Sequence, residues 1–205
     1  MHRLVRWGTA IVTIALLALP FVDASGIGRA APATALASTG GNCPAPLTGE
    51  PTAEAPGTPS ALGVGGTTQQ DLVDFAVAFN QIRVENCLEP IPYENFTWNH
   101  CMEQRLFWMA EDPSTDPLSA WGHLGSERSD GVPSVGCDGN LAGGTDNTGS
   151  TVAYKWWVSD AHRESLYKPG AEIDDVCIAF AMSHGGIPNE PYPFTRAAAR
   201  WYHCA

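Results

Sequence analysis

Two histidines, His123 and His162, and one carboxylate, Asp138, are the residue types of a small polar site. Neutral imidazoles with a carboxylate suit Zn²⁺ or a similar ion, with a position left open for water. The same groups can move protons without any metal. Ser159 precedes His162 by three residues, so on a helix the two share a face. A Ser/His pair also invites comparison with a hydrolase dyad, but no G-x-S-x-G elbow accompanies it. Asp138 precedes a glycine, where a turn-forming aspartate is the competing reading. His184 stands before Gly185-Gly186 and reads as a turn residue. Trp108, Trp156, Trp157 and Trp201 read as core side chains rather than ligand platforms.

The six cysteines, Cys43, Cys87, Cys101, Cys137, Cys177 and Cys204, are even in number and include no C-x-x-C. In an exported chain that pattern predicts three disulfides rather than a zinc ribbon or a redox pair. Cys87 follows the first predicted helix and Cys101 opens the second, so a Cys87–Cys101 bridge would staple that connection. Cys177 and Cys204 fall in two predicted C-terminal strands and form the second expected pair. Cys43–Cys137 is the remainder.

These residues need elements to position them. Thr67-x-x-Gln70 has the spacing of a capping box, and Leu72, Phe75, Ala76, Phe79 and Ile82 follow at helical period. Asn99 is the expected N-cap of a second helix with Met102, Leu106 and Met109 on one face, ending before Pro113. Residues 112–149 read as one long loop rich in Gly, Ser, Asp and Pro, a length that is usually functional. A third helix is expected from Ser150 or Thr151, carrying Val152, Trp156 and Ser159. The apolar run Val176–Met182 and the segment Thr195–Cys204 are predicted strands, pairing antiparallel. Helices first and strands last indicate an α+β fold.

The chain has 205 residues, 22 Asp+Glu against 11 Lys+Arg, and a formal charge of −11. This balance excludes a phosphate-neutralising nucleic-acid binder and a basic membrane-docking surface. Arg3 and Arg6 precede an uncharged apolar run from Trp7 to Leu19, which is too short to span a bilayer and fits a secretory signal. Cleavage is expected after Ala24, Ala33 or Ala37, so residues 1–37 are taken as the signal peptide. Residues 38–66 are Pro- and Gly-rich and read as a linker tethered by Cys43, and 67–205 as the folded domain. No second apolar run predicts a transmembrane segment after signal removal.

Four sequence pieces then stand in order. They are Asn80-x-x-Arg83, Trp98-Asn99, His123 followed by Gly136-Cys137-Asp138-Gly139-Asn140-Leu141-Ala142-x-Gly144, and Trp156-x-x-Ser159-x-x-His162-Arg163. Over about Gln69 to Cys204 this order resembles the CAP superfamily of cysteine-rich secretory, antigen-five and pathogenesis-related proteins, and most of all its bacterial SCP-like extracellular branch. The resemblance implies a three-layer α-β-α sandwich around a small antiparallel sheet. It implies a cleft lined by His123 and His162, with Asp138, Asn140 and Ser159 beside them. The sequence departs from the family where a carboxylate should precede Asn140: that position is Gly139, and Asp138 lies one residue back. With His123, His162 and Asp138 as its only donors, zinc or another divalent ion is expected to bind weakly, and no cofactor is required. The implied role is a secreted domain that binds a lipid, sterol or other extracellular ligand, or an extracellular protein, leaning away from catalysis. A metal-dependent hydrolase or protease using His123 and His162 is the first rival. A disulfide-stabilised structural module with a vestigial cleft is the second.

Overall fold

The computed structural model describes residues 43–204. The expected signal peptide, residues 1–37, lies outside the described residues. Four α-helices and a four-stranded mixed sheet form the body, in the order α1 (Gln69–Glu85), a 3₁₀ turn (Tyr93–Asn95), β1 (Phe96–Trp98), α2 (His100–Ala110), β2 (Asn140–Thr145), α3 (Gly149–Val158), α4 (Asp160–His162), a π-helical turn (Arg163–Tyr167), β3 (Val176–Gly186) and β4 (Glu190–His203). The α+β reading holds at this level.

Strand order is β1-β3-β4-β2. β3 pairs antiparallel with β4, β4 antiparallel with β2, and β1 runs parallel to β3. Side chains alternate across the sheet. Ile178, Phe180, Met182, Ala142, Ala197 and Ala199 join the cluster under α1 and α3. Ala179, Ala181, Ala198 and Leu141 join the cluster under α2. Helices therefore cover both faces. The alanines of β3 and β4 are small enough for those helices to sit close against the sheet.

Leu72, Phe75, Ala76, Phe79 and Ile82 are all buried on α1, as their spacing predicts. Phe75 stacks on Phe180 at 4.3 Å and meets Trp156 edge-on at 5.8 Å, so one ring joins α1, β3 and α3. At Gly149 the helices nearly touch: a Cβ there would lie 2.2 Å from the Asp71 carbonyl oxygen.

The helix cap differs from the expected one by one residue. Thr68, not Thr67, is the N-cap of α1, and its reciprocal partner is Asp71, not Gln70. Thr67 is engaged elsewhere: its backbone N–H and hydroxyl both reach Glu103 at 2.7 Å, and the Met182 N–H donates to its hydroxyl. Asn99 caps α2 as expected, accepting from the Met102 N–H at 2.9 Å. Asn80 and Arg83 are structural. The Asn80 side chain exchanges two hydrogen bonds with the Ile91 backbone, while Arg83 donates to the carbonyls of Glu89 and Tyr167.

Two strands escaped the sequence reading. β1 has three residues, and β2 lies inside the segment read as loop, carrying Gly143 and Gly144 instead of an apolar alternation. β3 and β4 also run further toward each other than expected, so His184 is a buried strand residue rather than part of the turn.

The disulfides are Cys43–Cys87, Cys101–Cys137 and Cys177–Cys204. The C-terminal pair is the expected one. The expected Cys87–Cys101 and Cys43–Cys137 pairs are corrected. α1, which ends just before Cys87, and α2, which holds Cys101, cover opposite faces of the sheet, with β1 between them. Cys43 instead fastens residues 43–66 to the end of α1, and Pro51, Ala55 and Val64 of that stretch are buried. Three disulfides fit an extracellular protein. Among the described residues no helix is long and apolar enough to cross a membrane.

Candidate functional site

The segment joining α2 to β2 carries His123 and Asp138, and three devices fix it. Asp112 is the first: its carboxylate accepts from the Ser114 N–H, the Ser119 hydroxyl and both the N–H and hydroxyl of Ser129. Burial would raise its pKa, but these donors outweigh that and hold it down at about 2. The second is Arg105 of α2. Its Nη2 lies 2.8 Å from the Gly122 carbonyl and 2.6 Å from the carbonyl of His123 and the Ser126 hydroxyl, with its guanidinium over Trp108 at 4.3 Å. Burial lowers the Arg105 pKa, and Asp138 opposes that shift.

The third device is the Cys101–Cys137 disulfide, reinforced by the Cys137 N–H donating to the Cys101 carbonyl at 2.9 Å. Gly136 lets the chain come that close. Its φ is +82°, and a Cβ would stand 2.5 Å from the Cys101 carbonyl oxygen and 2.6 Å from the Arg105 nitrogen. Asp138 is thereby pinned one residue after a cross-link.

His123 Nδ1 lies 2.8 Å from Asp138 Oδ1. The carboxylate also accepts from the backbone N–H groups of Leu124 at 3.2 Å and Gly139 at 3.0 Å. Burial would raise the Asp138 pKa, but the His123 hydrogen bond and these two donors bring it below its ordinary value. Asp138 engages Nδ1 and leaves Nε2 of His123 without a hydrogen-bond partner among the described residues. His123 is the exposed member, at 65% against 36% for Asp138.

His162 closes α4. Burial first, and then the neighbouring charge of His123, hold its pKa below the ordinary value. The two imidazoles therefore feel each other although 38 residues separate them in sequence. Asn140 opens β2 and donates to the Ala199 carbonyl at 3.2 Å. Its Oδ1 accepts from the Ser165 hydroxyl at 2.6 Å, and Ser165 also lies within bonding distance of the Ala161 and His162 carbonyls. Asn140 is thus tied to the turn that carries His162.

Ser159 does not act as expected. α3 stops at Val158, and Ser159 is extended, with φ −89° and ψ 117°, before α4 begins. The break removes the shared helix face with His162. Its carbonyl accepts from the Arg163 N–H at 2.8 Å, a link that holds the bend.

At Gly139 a Cβ would lie 3.0 Å from the Ala199 carbonyl oxygen and 3.1 Å from Met102 Sδ. That position faces the α2 layer, so Asp138 is the carboxylate that meets His123. Sequence reasoning missed Arg105 and Ser165. Ser165 stands three residues after His162, a spacing that could have marked it. Arg105 had no signal, because its acceptors are two backbone carbonyls and a serine hydroxyl 17 to 21 residues along the chain.

Among the described residues no group of three or more His, Cys, Asp or Glu is placed to hold a metal ion. Asp138 spends one oxygen on His123 Nδ1, and a set of two imidazoles and one such carboxylate would hold an ion only weakly. No family model, curated protein or solved structure matches the chain.

Proposed function

We propose that the chain is an extracellular CAP/SCP-like domain whose His123/His162 site binds a ligand rather than turning over a substrate. The observation that carries this reading is the Asp138–His123 pair. It fixes an exposed imidazole through its Nδ1, beside a second imidazole whose pKa burial holds below its ordinary value. Two such rings suit the polar head of an otherwise apolar molecule, of which a sterol or a lipid is the implied class. The motif order supports the family, and the helices on both faces of the sheet are compatible with its α-β-α sandwich. A zinc-like ion would be held by His123 and His162, with Asp138 orienting the first ring.

Titration with the fluorescent sterol dehydroergosterol and with a fluorescent fatty acid tests the reading. One of the two is expected to bind saturably at pH 7.5 and to lose at least tenfold in affinity in a His123→Ala/His162→Ala variant. Binding of neither, or equal binding by the variant, would contradict it. Calorimetry with Zn²⁺ at pH 7.5 and 5.5 is the companion experiment. Weak binding at the higher pH and none at the lower is expected, since imidazoles must be neutral to ligate.

A further inference from the structure

A groove of about 690 Å³ runs along α2, and neither His123 nor His162 lines it. Trp98, His100 and Phe107 form its aromatic wall, and Val132 and Val135 face it from the loop. The Trp98 and His100 rings lie 5.6 Å apart. The volume falls within the range of small-molecule sites.

Two carboxylates line this apolar wall, Glu103 and Glu111. Glu103 is only 2% exposed. Its Oε1 accepts from the Thr67 N–H and hydroxyl at 2.7 Å and from Trp98 Nε1 at 3.2 Å, all neutral donors. Its Oε2 has no hydrogen-bond partner among the described residues. Neither carboxylate forms a salt bridge among the described residues. The guanidinium in the lining, Arg128, is already neutralised. It donates to both oxygens of Asp130 and to the Trp108 carbonyl.

A buried carboxylate without a cation is costly, and a charge of opposite sign relieves that cost. Aromatic faces add attraction for a cation that is weakly hydrated. We infer that this groove binds a small organic cation with an apolar, quaternary-ammonium head, taken up free from solution. Glu103 and Glu111 supply the counter-charge, and Trp98 and Phe107 supply the faces. An alkali cation would leave the aromatic wall unused, and a neutral ligand would leave the carboxylates uncompensated.

Choline and 3,3-dimethyl-1-butanol, its uncharged isostere, are the probes. Each is titrated at constant ionic strength with tryptophan fluorescence as readout. Choline is expected to give a saturable change, with the alcohol at least tenfold weaker. Glu111→Gln and Phe107→Ala, checked for folding by circular dichroism, should each weaken choline about fivefold, the size of one cation–π or exposed charge contact. The His123→Ala/His162→Ala variant should bind choline as wild type does, which separates this groove from the histidine site. Equal affinity for choline and the alcohol, or no saturable response to choline, would overturn the assignment. So would unchanged binding in both folded groove variants, or binding only to phosphatidylcholine vesicles.

Discussion

Among the described residues, two His–Asp pairs have the same separation, 2.8 Å, and opposite surroundings. In the first, His184 Nε2 meets Asp71, and the two side chains are 9% and 10% exposed. His184 stacks on Tyr192 at 4.8 Å, and its backbone bridges to Gly65. Asp71 caps α1 through Thr68 at the same time. That pair therefore fastens α1, β3, β4 and the segment before α1. In the second, His123 meets Asp138 through Nδ1 at 65% and 36% exposure, on the segment between α2 and β2 rather than on a strand. Contact distance does not separate clamp from site. Burial, the nitrogen used and the neighbours do.

Breaking the cross-link beside one pair should have the largest effect. A Cys101→Ser/Cys137→Ser variant is expected to lose about 4 kcal/mol, the chain-entropy figure for a loop of its 36-residue separation. Denaturant unfolding measures that loss. Nuclear magnetic resonance should show the His123 ring released from Asp138 while the His184 signals stay in place.

His184→Ala should cost about 3 kcal/mol, because it leaves the Asp71 carboxylate buried with fewer partners. Asp138→Asn should cost less than about 1 kcal/mol, as expected for an exposed pair. Urea midpoints of the two variants compare them directly, and equal losses would erase the distinction between clamp and site.

Acid should act on the carboxylates in one direction. Burial pushes the Asp71 pKa up, but His184 and Thr68 hold it below its ordinary value. The carboxylate of Asp112 is held lower still, at about 2. The unfolded chain then takes up protons first, so this stability is fully present above about pH 4 and is lost as pH falls toward 2. Thermal unfolding from pH 7 to pH 2 should show that drop. Asp71→Asn should flatten part of it, whereas Asp130→Asn, which removes a partly exposed carboxylate paired with Arg128, should change it less.

The difference between the pairs also explains what the sequence made legible. The apolar period of α1, the Asn99 cap and the β3/β4 pairing were readable because each is local in pattern. β1 and β2 were not, since three residues and a glycine-rich stretch carry no period. The Cys87–Cys101 expectation failed because sequence proximity says nothing of which sheet face a helix covers. The pairing of His123 with Asp138 was within reach of residue type and motif order. Arg105 and the Asp71–His184 clamp were not, because they depend on partners 17 to 113 residues away. Ser159 misled because helical spacing was extended through a residue where the helix breaks.

The claim that His123 and His162 share one site, with Asp138 fixing the first ring, is tested most directly by titrating the histidine ring protons. His162 is expected to titrate below about 6.5 in wild type and to move upward in His123→Gln, which removes the neighbouring charge while burial remains. An unmoved His162 in that variant, or a His162 that titrates at the ordinary value from the start, would contradict it.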